Sequence, residues 1–138
     1  MVNPLFRPHG NAHMRVVGAV LIVDMYGYWN EEMRTQTAKD MLRYVPALNT
    51  QGPWGIINLL HDTVIYSEAV YTQTRQGYAY RSKNSRLQAV AFVIAPHVEG
   101  ATLLRPRFDT LLQGVVTSGV FADLASAQTW MQAQLESA

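Results

Sequence analysis

Two apolar stretches decide the fold class: Trp54-Gly55-Ile56-Ile57-Asn58-Leu59-Leu60 and Leu87-Gln88-Ala89-Val90-Ala91-Phe92-Val93-Ile94-Ala95. Each reads as a buried strand, and each is followed by a segment with helical spacing. A shorter strand-like stretch, Gly119-Val120-Phe121, leads into a last helix, Leu124–Leu135. Because strands alternate with helices, the sequence predicts a partly parallel, helix-covered sheet in one α/β domain. This domain is expected to span residues 1–138, with residues 1–10 as an irregular arm.

Two further strands precede this half of the chain. Ala12–Val17 and Ala19–Tyr26 flank Gly18, and such a short connection allows only an antiparallel hairpin. The second strand is nearly continuously apolar, which is typical of a strand covered on both faces. The sheet is therefore expected to be mixed.

Capping residues and prolines place four helices. Asn30 is a suitable N-cap for the first helix, and Pro46 is expected to end or kink it near Tyr44. The second helix is predicted over Ser67–Ser82, with Ser67 as its N-cap, and the third is expected to begin or kink at Pro106. Asp123 caps the last one. The predicted order is β-β-α-β-α-β-α-β-α.

Composition excludes several classes of function. The 138 residues are 49% hydrophobic and 15% charged with a formal net charge of +1, so bulk charge favours neither nucleic acid nor an anionic membrane. The absence of cysteine excludes disulfides, thiolate nucleophiles and Cys-ligated metal sites. The longest apolar run, Ala19–Val23, is too short to cross a bilayer, and the N-terminus lacks the pattern of a signal peptide. We expect a cytoplasmic protein without a cofactor, an integral membrane segment or a nucleic-acid partner.

The order of elements, together with short stretches spread over nearly the whole chain, resembles a known family. The chain resembles the STAS domain (sulfate transporter and anti-sigma factor antagonist), typified by stage II sporulation protein AA. It resembles more closely an uncharacterised bacterial branch described as STAS-like or as similar to CRAL-TRIO lipid-transfer proteins. The stretches that carry the resemblance are His9-Gly10-Asn11, Gly27-Tyr28-Trp29-Asn30, Gly52-Pro53-Trp54, Ala89-Val90-Ala91-Phe92-Val93, Val120-Phe121-Ala122-Asp123 and Ala127-Gln128-Thr129-Trp130. The resemblance implies a single-domain STAS-like α/β fold and a regulatory role.

The resemblance also implies a candidate switch. Antagonist members carry a phosphorylated serine at a helix start, and ungapped matching of 57–60 to the preceding strand carries that position onto Ser67. A phosphate there would meet free backbone N–H groups while adding charge to a docking surface. Tyr66 stands where the family has Asp, and Ala69 where it has Gly, so the kinase-recognised signature is broken. The alternative is that Ser67 is only an N-cap.

His61, Asp62, Tyr66 and Ser67 are the candidate binding or switch residues, because they follow the end of a strand that is expected to be central. A hydrolase triad of His61, Asp62 and Ser67 is an alternative. It lacks a Gly-x-Ser-x-Gly elbow, and the adjacent His61 and Asp62 are expected to point apart. The four histidines (His9, His13, His61 and His97) form no close helical pair and have no cysteine to support them. His13, expected in a strand, is the most plausible ligand of a metal site assembled by the fold, but a structural or solvent-facing histidine is preferred, so we expect no metal site.

A second candidate surface lies in a stretch without acidic residues between Glu68 and Glu99. Its members are Tyr71, Arg75, Tyr78, Arg81, Lys83 and Arg86. Tyr71, Arg75 and Tyr78 recur at i, i+4 and i+7 and are expected to share a helix face. Such a surface could bind an acidic partner, a lipid headgroup or single-stranded nucleic acid, or it could be a solvated helix end.

The sequence leaves three functions open. A non-enzymatic regulatory or protein-interaction module is preferred, a carrier of a small apolar ligand or lipid comes second, and an enzyme acting at the His61–Ser67 loop comes third. Trp29, Trp54 and Trp130 are expected to anchor the core, and Gly77 to permit a close approach of helix 2 to a neighbour. A protein partner is expected, and a homodimer is compatible with the pattern.

Overall fold

A computed structural model of the chain describes residues 10–138, and the predicted arm lies outside them except for Gly10. The strands are β1 (Gly10–Val17), β2 (Val20–Gly27), β3 (Trp54–Leu60), β4 (Leu87–Val93) and β5 (Thr117–Phe121). The helices are α1 (Glu31–Met41), α2 (Val45–Gln51), α3 (Glu68–Asn84), α4 (Ala101–Leu111) and α5 (Leu124–Glu136).

The five strands form one mixed sheet in the order β1-β2-β3-β4-β5. β1 and β2 are an antiparallel hairpin in which Val17 pairs with Val20, and Gly18 makes the tight turn at φ +60°. β2, β3, β4 and β5 run parallel, joined by helical crossovers. The predicted α/β class, the hairpin and the mixed sheet are confirmed.

The parallel strands are apolar because both of their faces are covered. Every residue of β3 is buried, and only Gln88 of β4 is not. Helices α1 to α4 pack one hydrophobic core against one face, and α5 packs a smaller core against the other through Ala127 and Met131. Trp54 and Trp29 are buried as predicted, whereas Trp130 is only half-buried, against Phe121 at a ring distance of 5.3 Å.

The prediction that β2 is covered on both faces is wrong for its C-terminal end. Helix α5 packs on β3, β4 and β5. Leu21 to Val23 are buried, but Asp24 is half-buried and Tyr26 is exposed. Polar side chains on this part of the sheet can therefore remain in contact with solvent.

The expected first helix is two helices, so the chain has five helices among residues 10–138 rather than four. α1 ends at Met41, and α2 begins at Val45 with Pro46 in its first turn. Pro46 cannot continue α1 because it has no N–H to donate to the preceding turn. The first turn of a helix needs no such donor, so Pro46 is compatible with the start of α2. The proline therefore interrupts one helix and starts the next.

Helix α4 begins at Ala101, five residues before the predicted start at Pro106, which lies inside it. Its N-cap is Gly100 in the left-handed region at φ +82°. A Cβ on Gly100 would lie 2.7 Å from Ile65 Cγ1, so this turn packs directly against the loop after β3. The start of α4 and that loop are thus one packed unit.

Candidate functional site

The loop that joins β3 to α3, residues 61–67, lies at the edge of the sheet where the parallel strands end. Ligands of open α/β sheets bind at this edge. Asp62 adopts a left-handed backbone at φ +69°, which short polar residues tolerate better than others. Its Oδ2 accepts a hydrogen bond of 2.9 Å from Gly27 N, which ties the loop to the end of β2.

The loop is also fixed to the segment before α4. Val64 N donates to Glu99 O at 2.9 Å, and Glu99 N donates to Asp62 O at 3.0 Å. Thr63 Oγ1 donates to Glu99 Oε1 at 2.8 Å. Val64 is fully buried. A loop held by backbone and side-chain bonds on both sides presents its exposed atoms in a defined geometry.

Ser67 is exposed and caps α3, as the sequence predicts. Its Oγ accepts a hydrogen bond of 3.3 Å from Val70 N. The next residue, Glu68, forms a bidentate ion pair with Arg107 of α4, including an Nη2–Oε1 bond of 2.8 Å. These hydrogen bonds from Arg107 lower the pKa of the Glu68 carboxyl. The first turn of α3 is thus connected to α4 next to the serine.

His61 belongs to a different cluster. Its Nε2 lies 2.9 Å from Asp24 Oδ1, and its ring stacks on Tyr26 with centroids 4.3 Å apart. Arg15 Nη1 donates to Asp24 Oδ2 at 2.8 Å, and the His13 ring meets the edge of Tyr26 at 5.8 Å. These residues occupy the part of the sheet next to α5 that no described helix covers.

Sequence reasoning missed Asp24 and Tyr26 as partners of His61, and Arg15 as a partner of Asp24. Asp24 pairs with Leu59 in the register of β2 and β3. His61 follows Leu59 by two residues and therefore lies on the same face of the sheet as Leu59 and Asp24. The signal was the i, i+2 spacing of Asp24 and Tyr26 at the end of an otherwise apolar strand.

This geometry forms no hydrolase triad. His61 pairs with Asp24, while Asp62 accepts from Gly27 N, so the two adjacent side chains point apart as predicted. In the part of the chain that the structure describes, no hydrogen bond joins Ser67 to His61, and no group of three His, Asp or Glu residues is arranged to hold a metal ion.

Tyr66 does not join Ser67 on the surface. Its hydroxyl is buried, and its ring lies between those of Tyr28 and Tyr71, at centroid distances of 6.5 and 5.8 Å. Burial raises the pKa of the Tyr66 phenol. Of the four candidates, Asp62 and Ser67 are exposed and the His61 side chain is 37% exposed, whereas the Tyr66 hydroxyl is buried. A functional surface shared by these residues stays a prediction, to which Tyr66 does not contribute its hydroxyl.

The predicted basic and aromatic surface on α3 is also wrong. Tyr71 is 3% exposed and Tyr78 is 2% exposed, because both face the main core. Arg75 Nη1 donates to Leu111 O at 2.7 Å, and Arg81 Nη1 reaches Met41 Sδ at 3.7 Å. Of the other two members, Lys83 is exposed near the end of α3. Arg86 N donates to Asn49 Oδ1, at the opposite end of the sheet from the β3–α3 loop. The long arginine side chains thus reach different neighbours and form no single patch.

Exposed apolar side chains lie at the strand-end edge of the sheet, the edge that also carries Ser67. Tyr28 follows β2 and is 45% exposed, Ile65 follows β3 and is 45% exposed, and Leu103 lies in the first turn of α4 and is 81% exposed. We name Tyr28, Ile65, Ser67 and Leu103 the edge surface. Sequence reasoning missed its apolar members, although Leu103 stands outside the buried stripe of α4, which contains Ala101, Phe108 and Leu111.

Comparison with solved structures identifies the architecture. The crystal structure of an anti-sigma factor antagonist from Mycobacterium paratuberculosis superposes with a TM-score of 0.53 over 89% of this chain and 94% of that chain. The chain has a STAS fold. Sequence identity over the match is 15%, so the likeness concerns the fold alone. No family model and no curated protein matches the sequence.

The STAS part of the expected resemblance is therefore confirmed, while no comparison supports its lipid-transfer part. In this STAS fold the edge surface lies beyond the parallel strands, and the cluster around His61 lies on the uncovered part of the hairpin. No helix of the described chain is long and apolar enough to cross a membrane.

Proposed function

We propose that the chain is a non-enzymatic regulatory module that binds a protein partner through the edge surface. The observation that carries the proposal is an exposed serine at the start of α3, flanked by exposed apolar side chains on a loop fixed by hydrogen bonds. Apolar groups surrounded by polar atoms are typical of protein interfaces. The STAS fold, shared with an anti-sigma factor antagonist, supports a regulatory role.

A charge at Ser67 is proposed to control this binding. The Ser67 hydroxyl is accessible, and a phosphate there would gain the N-terminal dipole of α3. It would also place up to two negative charges on the surface that carries Ile65 and Leu103. An apolar partner that covered this surface would remove water from those charges, which costs free energy. Charge at this position should weaken binding without unfolding the module.

A carrier of lipids is not supported by the interior. The cavity between the sheet, α1 and α3 has a volume of about 30 Å³. Pockets that bind small organic ligands measure roughly 300–1,000 Å³. An acyl chain therefore has no room in this core.

The proposal is tested by substitutions that keep the helix cap and change only the charge. Asparagine and aspartate both cap helices well, so Ser67→Asn and Ser67→Asp should both fold, and Ser67→Asp should gain only about 0.3–1 kcal/mol from the helix dipole. Partners are captured from a lysate of the source cells with the wild-type protein, and their affinities for the three proteins are measured. We expect Ser67→Asn to bind like wild type and Ser67→Asp to bind at least about tenfold more weakly, a difference of 1.4 kcal/mol.

Equal affinity of the captured partner for Ser67→Asn and Ser67→Asp would contradict control by charge. Capture of the same partner by a protein carrying Ile65→Ser and Leu103→Ser together, at undiminished affinity, would contradict binding through the edge surface. Gln132→Ser on α5 is the matched control, since it replaces an exposed side chain on the opposite face.

A further inference from the structure

The core beneath the sheet holds a buried arginine without a carboxylate partner. Arg34 of α1 is 5% exposed, and its Nε donates to Thr74 Oγ1 at 3.1 Å. No carboxylate of residues 10–138 forms an ion pair with it, and residues 1–9 contain no Asp or Glu. Its Nη1 is buried and has no hydrogen-bond acceptor in the part of the chain that the structure describes. A buried charge without a counter-ion is unusual, because such groups are normally paired.

The surroundings of Arg34 compensate the charge only in part. The guanidinium lies over the Tyr78 ring at 5.6 Å, which is a weak cation–π contact. Burial lowers the pKa of Arg34, and the neighbouring positive charge of Arg81 lowers it further. The positive charges of Arg34 and Arg81 thus lie close together, and neither forms an ion pair with a carboxylate among residues 10–138.

A cavity adjoins the unpaired groups. Arg34 and Tyr66 both line the internal cavity of about 30 Å³, and the buried Tyr66 hydroxyl also has no hydrogen-bond partner among the described residues. Asn58 lines the same space, and its Nδ2 donates to Tyr78 Oη. Thr74, Tyr71 and Tyr78 also line it, and most of the other lining residues, including Trp29 and Phe108, are apolar. The cavity thus offers a cationic donor and a hydroxyl donor in a largely dry environment.

We propose that this cavity binds a small monovalent anion, held by the Arg34 guanidinium and the Tyr66 hydroxyl. The volume fits one or two water-sized species, which admits a halide, nitrate or formate and excludes nucleotides and acyl chains. The single positive charge matches a monoanion better than a dianion. An outer groove lined by Arg34, Thr35, Ala38, Gln73, Gln76 and Gly77 reaches the guanidinium from the surface and offers a path of entry.

The test measures whether small anions stabilise the protein through Arg34. Melting temperatures are compared in sodium gluconate, whose anion is too large, and in sodium chloride, bromide, nitrate or formate at a constant ionic strength of about 0.15 M. We expect wild type to melt about 4 °C higher when a small anion is present at roughly ten times its Kd. Comparison of the increase in melting temperature in chloride with that in formate shows whether the preferred monoanion is inorganic or a carboxylate.

Three variants assign the effect to the cavity. Arg34→Met should lose the anion dependence, because it replaces the charge with an apolar chain of similar length. Tyr66→Phe removes the hydroxyl donor and should reduce the anion dependence of the melting temperature. Arg43→Met, at a side chain that is 78% exposed, should keep it unchanged. An equal dependence in Arg34→Met and Arg43→Met would overturn the proposal.

A second measurement covers the case in which Arg34→Met fails to fold. Crystals of the wild-type protein grown in bromide are examined by anomalous diffraction. A bromide peak next to Arg34 Nη1 and Tyr66 Oη supports the proposal. Density for water only, at saturating bromide, overturns it.

Discussion

Asn58 Nδ2 donates a hydrogen bond of 2.8 Å to Tyr78 Oη and thereby joins the centre of β3 to α3 inside the core. Both residues are 2% exposed. An asparagine in the middle of a fully buried strand is tolerated because its amide has this partner. The bond fixes the position of α3 on the sheet, and the N-terminus of α3 carries Ser67.

Tyr78→Phe should destabilise the protein by about 1–3 kcal/mol, because it leaves the Asn58 amide buried without its acceptor. The measurement is the free energy of unfolding in denaturant. Tyr80→Phe is the control, since Tyr80 is on the same helix and 70% exposed, and it should have no effect. Equal stabilities of the two variants would show that the buried bond contributes nothing.

Gly77→Ala should stabilise the protein by about 0.5–1 kcal/mol, because alanine has the better helix propensity. The expectation that Gly77 permits a close approach is wrong: a Cβ there would lie 3.8 Å from Arg34 Nη2, which is an ordinary contact. Thermal unfolding measures the effect. A lower melting temperature would mean that α1 and α3 are packed more tightly there than the structure shows.

Gly55→Ala should destabilise the protein by about 1–3 kcal/mol as an overpacked core position. A Cβ on Gly55 would overlap the Met131 side chain of α5 and lie 3.2 Å from Ala89 O. The fully buried Met131 has little freedom to move away. A double-mutant cycle with Met131→Ala measures the conflict: the two changes should be less damaging together than their sum. Simple additivity would contradict the account of this contact.

Much of the fold follows from local sequence patterns. The runs in β3 and β4 predict buried parallel strands, and Asn30, Ser67 and Asp123 each predict a helix start that the structure has. The break between α1 and α2 is signalled by Pro46, but the sequence does not reveal that the chain resumes a helix at once.

The site was less predictable because it depends on long-range register. Asp24 and His61 meet across 37 residues through the pairing of β2 with β3. Tyr66 turns inward because its ring packs against Tyr71, which no spacing rule reveals. The helical spacing of Tyr71 and Tyr78 was identified correctly, but their shared face is the buried one.

The central claim is that a protein partner binds the edge surface, and site-specific photocrosslinking in the source cells tests it most directly. A photoreactive residue is placed at Ile65, at Leu103 or, as the control, at the exposed Ala133 of α5. We predict that positions 65 and 103 crosslink to the same protein, that position 133 does not, and that Ser67→Asp removes both crosslinks. Crosslinking of that protein from position 133 alone, with none from 65 or 103, would contradict the account.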